Sequence, residues 1–418
     1  MTLISLTLYS ETPFFLGSYD TQFHREDAFR TQSLKGVWRY WLRAYVAGAL
    51  YELGLLKSKS SGPLLAKIDD TSLKLLLDVT QDILGGPDKA SSFRIVLDQV
   101  NVATVANYPQ YPESNLPRVK LLTLGRRPLS YAKRITVNIS IEDAPHVSGK
   151  LDINIVKIGI GSLLTALTLS GLGKMSRRGL GTFTIRVRDN TRLFRQYLDY
   201  QGYLDYNKLP QLINDVLKTL KEYISSVKKV KGVFSREIPP INTITSEKIE
   251  YNVEVQGSFI ENNKVPIFTV YSIEFSKPLP SVLQDLQNFF YRPGRIKSYY
   301  GKLTTEYGHV EDQITQNKDA WYFGLPREQR NTGYLAQVER RASPFIVAVH
   351  RRRAFISVFL SQDWPRKIVW RGISSKEISL TRDLLINTHC RVLSYLENYL
   401  KKLNYSFEVI YPWEEGRK

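Results

Sequence analysis

Cysteine is almost missing from this chain. The single Cys390 allows no intrachain disulfide, so packing alone must hold the fold, and a reducing, cytoplasmic setting is expected. Cys390 lies in a helical pattern and reads as a small core residue. Histidine is scarce too, with five in 418 residues: His24, His146, His309, His350 and His389. No two stand at metal-ligand spacing, and His389 beside Cys390 is not a zinc pattern, so no metal and no cofactor is expected. No apolar run approaches the roughly 18 residues that a membrane span needs. Polar residues interrupt Met1–Leu8, which argues against a signal peptide there. Negative charge is the short side, with 40 Asp and Glu against 58 Lys and Arg, a net of +18. That surplus points to a polyanionic partner. It is spread along the chain: residues 1–190 carry 24 basic and 16 acidic side chains, the remainder 34 and 24. A basic tail on a neutral body is therefore excluded, and both halves should face the anion.

Hydrophobic residues make up 43% of the chain, enough for a sizeable core. The length suits two domains better than one. Leu3–Tyr9 alternates as a strand. A helix is expected from about Ser33 to Leu53, with Leu34, Val37, Trp41, Tyr45 and Ala49 on one face and Ser33 or Thr31 as N-cap. Lys35, Arg39 and Arg43 recur four apart on another face. A short helix over Thr71–Leu84, strands over Ser92–Leu97 and Ile135–Ile141, a helix over Ile158–Leu169 and a strand over Thr182–Arg188 complete an elaborated ferredoxin-like α+β unit. Leu121–Tyr131 reads as a basic, irregular connection. Residues 191–235 read as a helical connector ending in the basic run Lys228–Lys231. Strand patterning resumes at Ile249–Ile260 and Ile267–Phe275, followed by a helix at Pro280–Tyr291. Pro344–Leu360 reads as a hairpin with Arg351–Arg353 at its turn, then a long helix over Leu380–Leu403 and a last strand over Tyr405–Tyr411. The expected division is 1–190, 191–235 and 236–418.

The most informative segment is Gly171-Leu-Gly-Lys-Met-Ser-Arg-Arg-Gly-Leu-Gly181. Its glycines permit positive φ and close approach of a ligand. Lys174, Ser176, Arg177 and Arg178 add charge and a hydroxyl, a mix that suits a phosphodiester backbone. Walker spacing is absent. A dinucleotide fingerprint fails because Ser176 holds the place of its third glycine, and the loop follows a helix rather than a strand. The blander reading is a tight glycine connection with solvated arginines. At the amino end, the start of the first helix, with Ser33, Lys35 and Gly36 just after Arg30, is a natural phosphate site. Trp38 and Trp41 read as core anchors rather than stacking platforms.

Phe29–Arg43 together with Gly171–Gly181 resembles the signature of the RAMP superfamily. Phe15-Leu-Gly-Ser-Tyr-Asp20, Arg30-Thr-Gln-Ser-Leu-Lys-Gly36 and Trp38-Arg-Tyr-Trp-Leu-Arg43 are similar to subunit one of the Cmr (type III-B) CRISPR effector complex. So are Trp321-Tyr-Phe-Gly-Leu-Pro-Arg327 and Arg341-Ala-Ser-Pro344. The resemblance implies two ferredoxin-like, RRM-like RAMP domains with helical insertions, and a place near the 3′ end of the guide RNA. It implies guide RNA, target RNA and other RAMP subunits as partners. It also implies RNA contacts by Arg30, Ser33, Lys35, Gly173, Lys174, Arg177 and Arg178.

In the second half, Tyr291-Arg-Pro-Gly-Arg-Ile-Lys-Ser-Tyr-Tyr-Gly-Lys302 interleaves aromatics and cations as single-stranded nucleic acid requires. Arg292, Arg295, Lys297, Arg340 and Arg341 join the expected RNA contacts, as do Arg39, Arg43 and Ser176. No catalytic residue is expected. Two enzyme readings stand as alternatives. His24 could act as general base in guide processing, as in related endoribonucleases. Asp20 or Asp27 could serve metal-dependent target slicing. A scaffold with little direct RNA contact is the third reading.

Overall fold

A computed structural model of the chain describes residues 1–16, 22–107, 116, 119, 129–144, 151–228, 232, 236–252, 255–291, 319–325, 327–329, 332–336, 341–371 and 375–412. The first half runs β1 (Thr2–Ser10), α1 (Thr31–Glu52), α2 (Asp70–Leu84), β2 (Phe93–Asn107), β3 (Ser130–Asp143), α3 (Ile153–Leu169) and β4 (Phe183–Asp189). Its sheet has the order β2-β3-β1-β4, antiparallel throughout. With α2 set aside as an insertion, this is the βαββαβ ferredoxin-like plan. The alternation in the strands is the cause. Ile4, Leu6, Leu8, Val137, Ile139, Ile141, Ile185 and Val187 point one way and are buried with residues of α1 and α3. Ser5, Thr7, Asn138, Ser140, Arg186 and Arg188 occupy the opposite face.

The second half repeats the plan. After α4 (Leu209–Lys228) come β5 (Phe268–Glu274), α5 (Leu279–Tyr291), β6 (Arg327–Gln329) and β7 (Thr332–Ala336). These are followed by β8 (Phe345–Val349), β9 (Arg353–Phe359), β10 (Lys367–Arg371), β11 (Ser375–Ser379), α6 (Arg382–Lys402) and β12 (Ser406–Tyr411). The order β8-β9-β5-β12, again antiparallel, gives a second ferredoxin-like sheet. A further sheet, β6-β7-β10-β11, has no counterpart in the sequence reading. Its strands are short, and its two hairpins are joined only by the non-local β7–β10 pairing, so periodicity alone does not reveal it.

The two halves stack in layers. In the second sheet Phe268, Val270, Ile346, Phe355 and Phe359 face the first half and join the same core as Trp41 and Leu42. Tyr271, Ile273, Val347, Val349, Ile356 and Val358 face the other way and pack with Leu283, Leu286, Leu393 and Leu396 of α5 and α6. Both faces are thus covered, which explains why β8 and β9 read as apolar runs rather than as alternation. Burying each large apolar side chain is worth about 1.5–3 kcal/mol, so the junction is a continuous core rather than a hinge.

Several local expectations shift. The N-cap of α1 is Arg30, not Thr31 or Ser33: Ser33 N donates to Arg30 O at 3.0 Å, which puts both hydroxyl residues inside the first turn. Helix α3 starts at Ile153, because Asp152 accepts from Asn154 N and caps it there. The strand expected over Ser92–Leu97 continues to Asn107, because β3 keeps pairing with it across three register shifts. Within 191–235, α4 packs on α1 and α3 and buries Leu212, Ile213, Val216, Leu217 and Leu220 in the first core. The run Ile249–Ile260 shortens to a ribbon of Lys248–Glu250 with Lys264–Pro266.

His350 sits at the junction, fully buried. Its Nε2 lies 2.9 Å from Thr168 O and its Nδ1 lies 3.1 Å from the Tyr206 hydroxyl. A carbonyl only accepts, so Nε2 carries the proton and Nδ1 accepts from Tyr206. Burial pushes the His350 pKa down to about 4, and burial pushes that of His389 in the second core down to about 3. Between those values and the ordinary 6.5 the unfolded chain binds more protons than the folded one. Stability is therefore full above about pH 6.5 and falls as pH drops toward 4. Each histidine should cost about 2 kcal/mol by pH 5, from about 1.4 kcal/mol per pH unit. Urea melts at pH 7 and pH 5 should show this loss, and His350→Gln should flatten part of it.

Candidate nucleic-acid interface

Helix α1 presents the first cluster of cations. Its amino terminus has no side-chain cap and no acidic residue in its first turn. The free N–H groups and the positive end of the macrodipole are therefore uncompensated locally. Gln32, Ser33 and Gly36 are exposed, and nothing stands within 4 Å of where a Gly36 Cβ would lie. Arg30 pairs with Asp27 at 3.1 Å, with both side chains largely solvated. Lys35 and Arg43 flank Arg39 on one helical row. Burial first, and the Arg39 charge second, hold the Lys35 ammonium and the Arg43 guanidinium below their ordinary values. Among the described residues neither has an ion pair. Arg39 itself is committed: its guanidinium donates to Leu84 O at 3.2 Å and Gly85 O at 3.1 Å, satisfying the carboxyl end of α2.

The glycine loop behaves differently from the expectation. Its amides are largely spent inside the protein. Gly171 N donates to Ser176 O, Leu172 N to Gly181 O, Lys174 N to Phe15 O, Gly179 N to Val347 O and Gly181 N to Pro13 O, all at 2.8–3.0 Å. Gly179 has φ +80°, and a Cβ there would meet Leu283 at 2.9 Å and Val349 at 3.0 Å. Gly181 has φ +66°, with the Leu172 carbonyl 2.0 Å from a would-be Cβ. These glycines admit close approach by the protein's own second half and by the loop itself. A parallel bridge, Arg178 to Val347, docks the loop on the edge strand β8.

The loop arginines reach the same way. Arg177 donates to Ser343 O at 3.0 Å and to the Tyr40 hydroxyl at 3.3 Å, and lies 5.1 Å over the Tyr40 ring. Arg178 donates to Phe345 O and Phe323 O and lies 5.5 Å over the Phe290 ring. Arg341 is withdrawn from the interface altogether. It is 8% exposed, and its guanidinium donates to Ala342 O, Ser361 Oγ and Asp363 Oδ1 while lying 4.8 Å over Trp364. Against its expected role in RNA contact, the structure places this charge on internal partners. Gly173, Lys174 and Ser176 are half-buried, the first two beside Phe15 and Ser176 bonded through its carbonyl to Gly171 N. Arg292, Arg295, Lys297 and Arg340 lie outside the described residues, as does Asp20.

Other expectations resolve around this frame. Trp38 Nε1 donates to Gly159 O and Ser162 Oγ, Trp41 Nε1 to Ser170 Oγ, and both rings are buried, so they are core anchors. The segments around Trp321 and Arg341 meet through paired backbone bonds between Leu325 and Arg341. His24 and Asp27 are exposed on the loop before α1. No group of three His, Cys, Asp or Glu that could hold a metal occurs among the described residues, and no described helix is long and apolar enough to cross a membrane.

A basic protein of two ferredoxin-like units belongs, by fold, with the RRM-like α+β proteins. The family model of the RAMP superfamily matches residues 7–184, the span of the first ferredoxin-like unit. Among solved structures, a chain of the type III-B Cmr-beta complex bound to cognate target RNA aligns with a TM-score of 0.51 at 12% identity, covering 94% of this chain and 99% of that one. A second structure of that complex, with cognate target RNA, AMPPnP and single-stranded DNA, aligns with a TM-score of 0.50 at 13% identity, covering 95% and 99%. Identities this low speak for the fold alone. No curated protein matches the chain.

Proposed function

We propose that this chain is a non-catalytic RAMP subunit of a type III-B (Cmr) CRISPR ribonucleoprotein that binds guide or target RNA near the guide's 3′ end. The observation that carries the reading is the end-to-end match of the tandem ferredoxin-like fold to a chain of the Cmr-beta complex. The net charge of +18 and the row of Lys35 and Arg43 beside an uncapped helix terminus support an RNA partner. RNA contact centres on α1 in this reading. Arg177 and Arg178 contribute first to holding the two halves together. Neighbouring RAMP subunits complete the assembly. Catalysis is assigned to none of this chain's residues in this reading, in which Asp27 pairs with Arg30.

The test is a titration of end-labelled single-stranded RNA with the purified chain at several salt concentrations. Each phosphate neutralised contributes a log–log slope of about −0.7. The double variant Lys35→Gln, Arg43→Gln should flatten that slope by about 1.4 and leave the RNA intact. Unchanged affinity and slope would remove α1 from the interface. RNA shortened by the wild-type chain but not by His24→Ala would make the protein an endonuclease.

A further inference from the structure

A cleft of about 1050 Å³ opens between the two halves, with a smaller one of about 420 Å³ adjoining it. Phe275, Lys277, Arg351 and Arg352 line both. Domain junctions of this size are common ligand sites. Phe275 is half-exposed and follows β5, and its amide donates to Arg352 O at 3.2 Å, which fixes the ring beside the β8–β9 turn. Three consecutive arginines occupy that turn and the start of β9, although the hairpin closes on backbone bonds alone. Arg353 is used by the fold, paired with Glu274 and donating to Asn207. Arg351 and Arg352 are exposed, and among the described residues their guanidinium groups have no carboxylate.

The carboxylates of the cleft are already engaged. Glu274 holds Arg353, Asp199 accepts from the amides of Gln201 and Tyr203, and Asp205 accepts from Asn207 N. On the wall around Phe275, Lys277 pairs with Asp285 at 3.6 Å, and the cationic groups left without a carboxylate among the described residues are Arg351 and Arg352. Lys277 is anchored there by Leu403 O at 3.0 Å and lies 4.4 Å over the Tyr405 ring. On the opposite wall the half-exposed Tyr203 sits under Arg186 at 6.0 Å. The cleft reaches Thr184, and beyond it Arg186 and Arg188 stand on the open face of β4. Thr184 to Arg188 spans roughly 13 Å at about 3.3 Å per residue, longer than a single nucleotide.

We infer that this cleft seats a segment of single-stranded RNA, with one base stacked on Phe275, its phosphates held by Arg351 and Arg352, and the strand leaving along Arg186 and Arg188. The inference rests on the RNA-binding reading above but names a site separate from α1. An aromatic floor beside unpaired arginines binds a base and its phosphate with little sequence preference. The second sheet cannot serve as such a platform, because both of its faces are buried.

The test uses the full chain, a single-stranded RNA and the variants Arg351→Gln, Arg352→Gln (together) and Phe275→Leu. The arginine pair should flatten the salt slope by about 1.4. Phe275→Leu should weaken binding about tenfold, the effect of one lost stacking contact. Arg351→Lys, Arg352→Lys should restore the slope. Melting temperatures of the arginine variants should match the wild type. If they do not, photocrosslinking of thiouridine-bearing RNA to the wild-type chain decides: adducts at 203 or 275–277 support the site, and adducts confined elsewhere overturn it. Wild-type binding with unchanged variants overturns this cleft while leaving the RNA reading in place. A wild-type chain that binds no RNA overturns both. Full competition by a mononucleotide would make the cleft a small-nucleotide pocket and overturn the RNA track.

Discussion

Gly48→Ala is expected to destabilise the chain by 3 kcal/mol or more, with loss of the native melting transition at moderate temperature. Gly48 lies in the middle of α1, where alanine is ordinarily about 1 kcal/mol better than glycine. Here the segment after α4 crosses directly over the helix. Ile244 N donates to Ala44 O at 3.0 Å, and the Ile244 carbonyl oxygen stands 1.7 Å from where a Gly48 Cβ would sit. Real Cβ atoms do not approach backbone that closely. The crossing strand must lift, which breaks the Ala44 bond and uncovers Ile244, itself fully buried in the first core. Overpacking costs about 1–3 kcal/mol where a side chain can yield, and here only backbone is available to yield. Thermal unfolding followed by circular dichroism checks the prediction. A Tm within a few degrees of wild type would show that the crossing segment yields without cost and overturn the prediction.

Arg341→Ala is expected to cost about 3 kcal/mol of stability while leaving RNA affinity per folded molecule unchanged. The guanidinium bonds Asp363 at 2.9 Å and Ser361 at 2.9 Å and lies over the buried Trp364. Removing it strands a partly buried carboxylate, the costly way to break such a pair. Asp363 keeps about a third of its side chain in water, which places the loss toward the low end of the usual 3–5 kcal/mol. Arg341→Lys should recover little, because one ammonium cannot reproduce a planar fork over an indole. Chemical denaturation and an RNA titration on the same preparation separate the two effects. A salt slope that falls while stability holds would return Arg341 to the RNA surface.

The same contrast runs through the loop arginines. Arg177 and Arg178 sit in a segment whose composition suits phosphate, and the fold turns their side chains toward Ser343, Phe345 and Phe323. Substituting them tests the junction of the two halves before it tests any ligand. Loss of RNA binding in such variants must therefore be read against their stability.

Alternation at Leu3–Tyr9 and Thr182–Arg188, and the helical stripes of α1 and α6, were legible from sequence because each is a local period imposed by one buried face. Those periods, in their order, read as a ferredoxin-like unit followed by a second α+β unit, and the charge excess points to an anionic partner. Which cations remain available to that partner was decided only by the tertiary structure. Lys35 and Arg43 remain without a carboxylate among the described residues, Arg39 caps α2, Arg341 is buried on Trp364, and Arg351 and Arg352 stand at a cleft. A guanidinium reads the same in sequence whether it meets a carbonyl, an indole ring or solvent. The choice follows from which surfaces the second sheet covers when both its faces are buried, and that packing joins residues hundreds of positions apart.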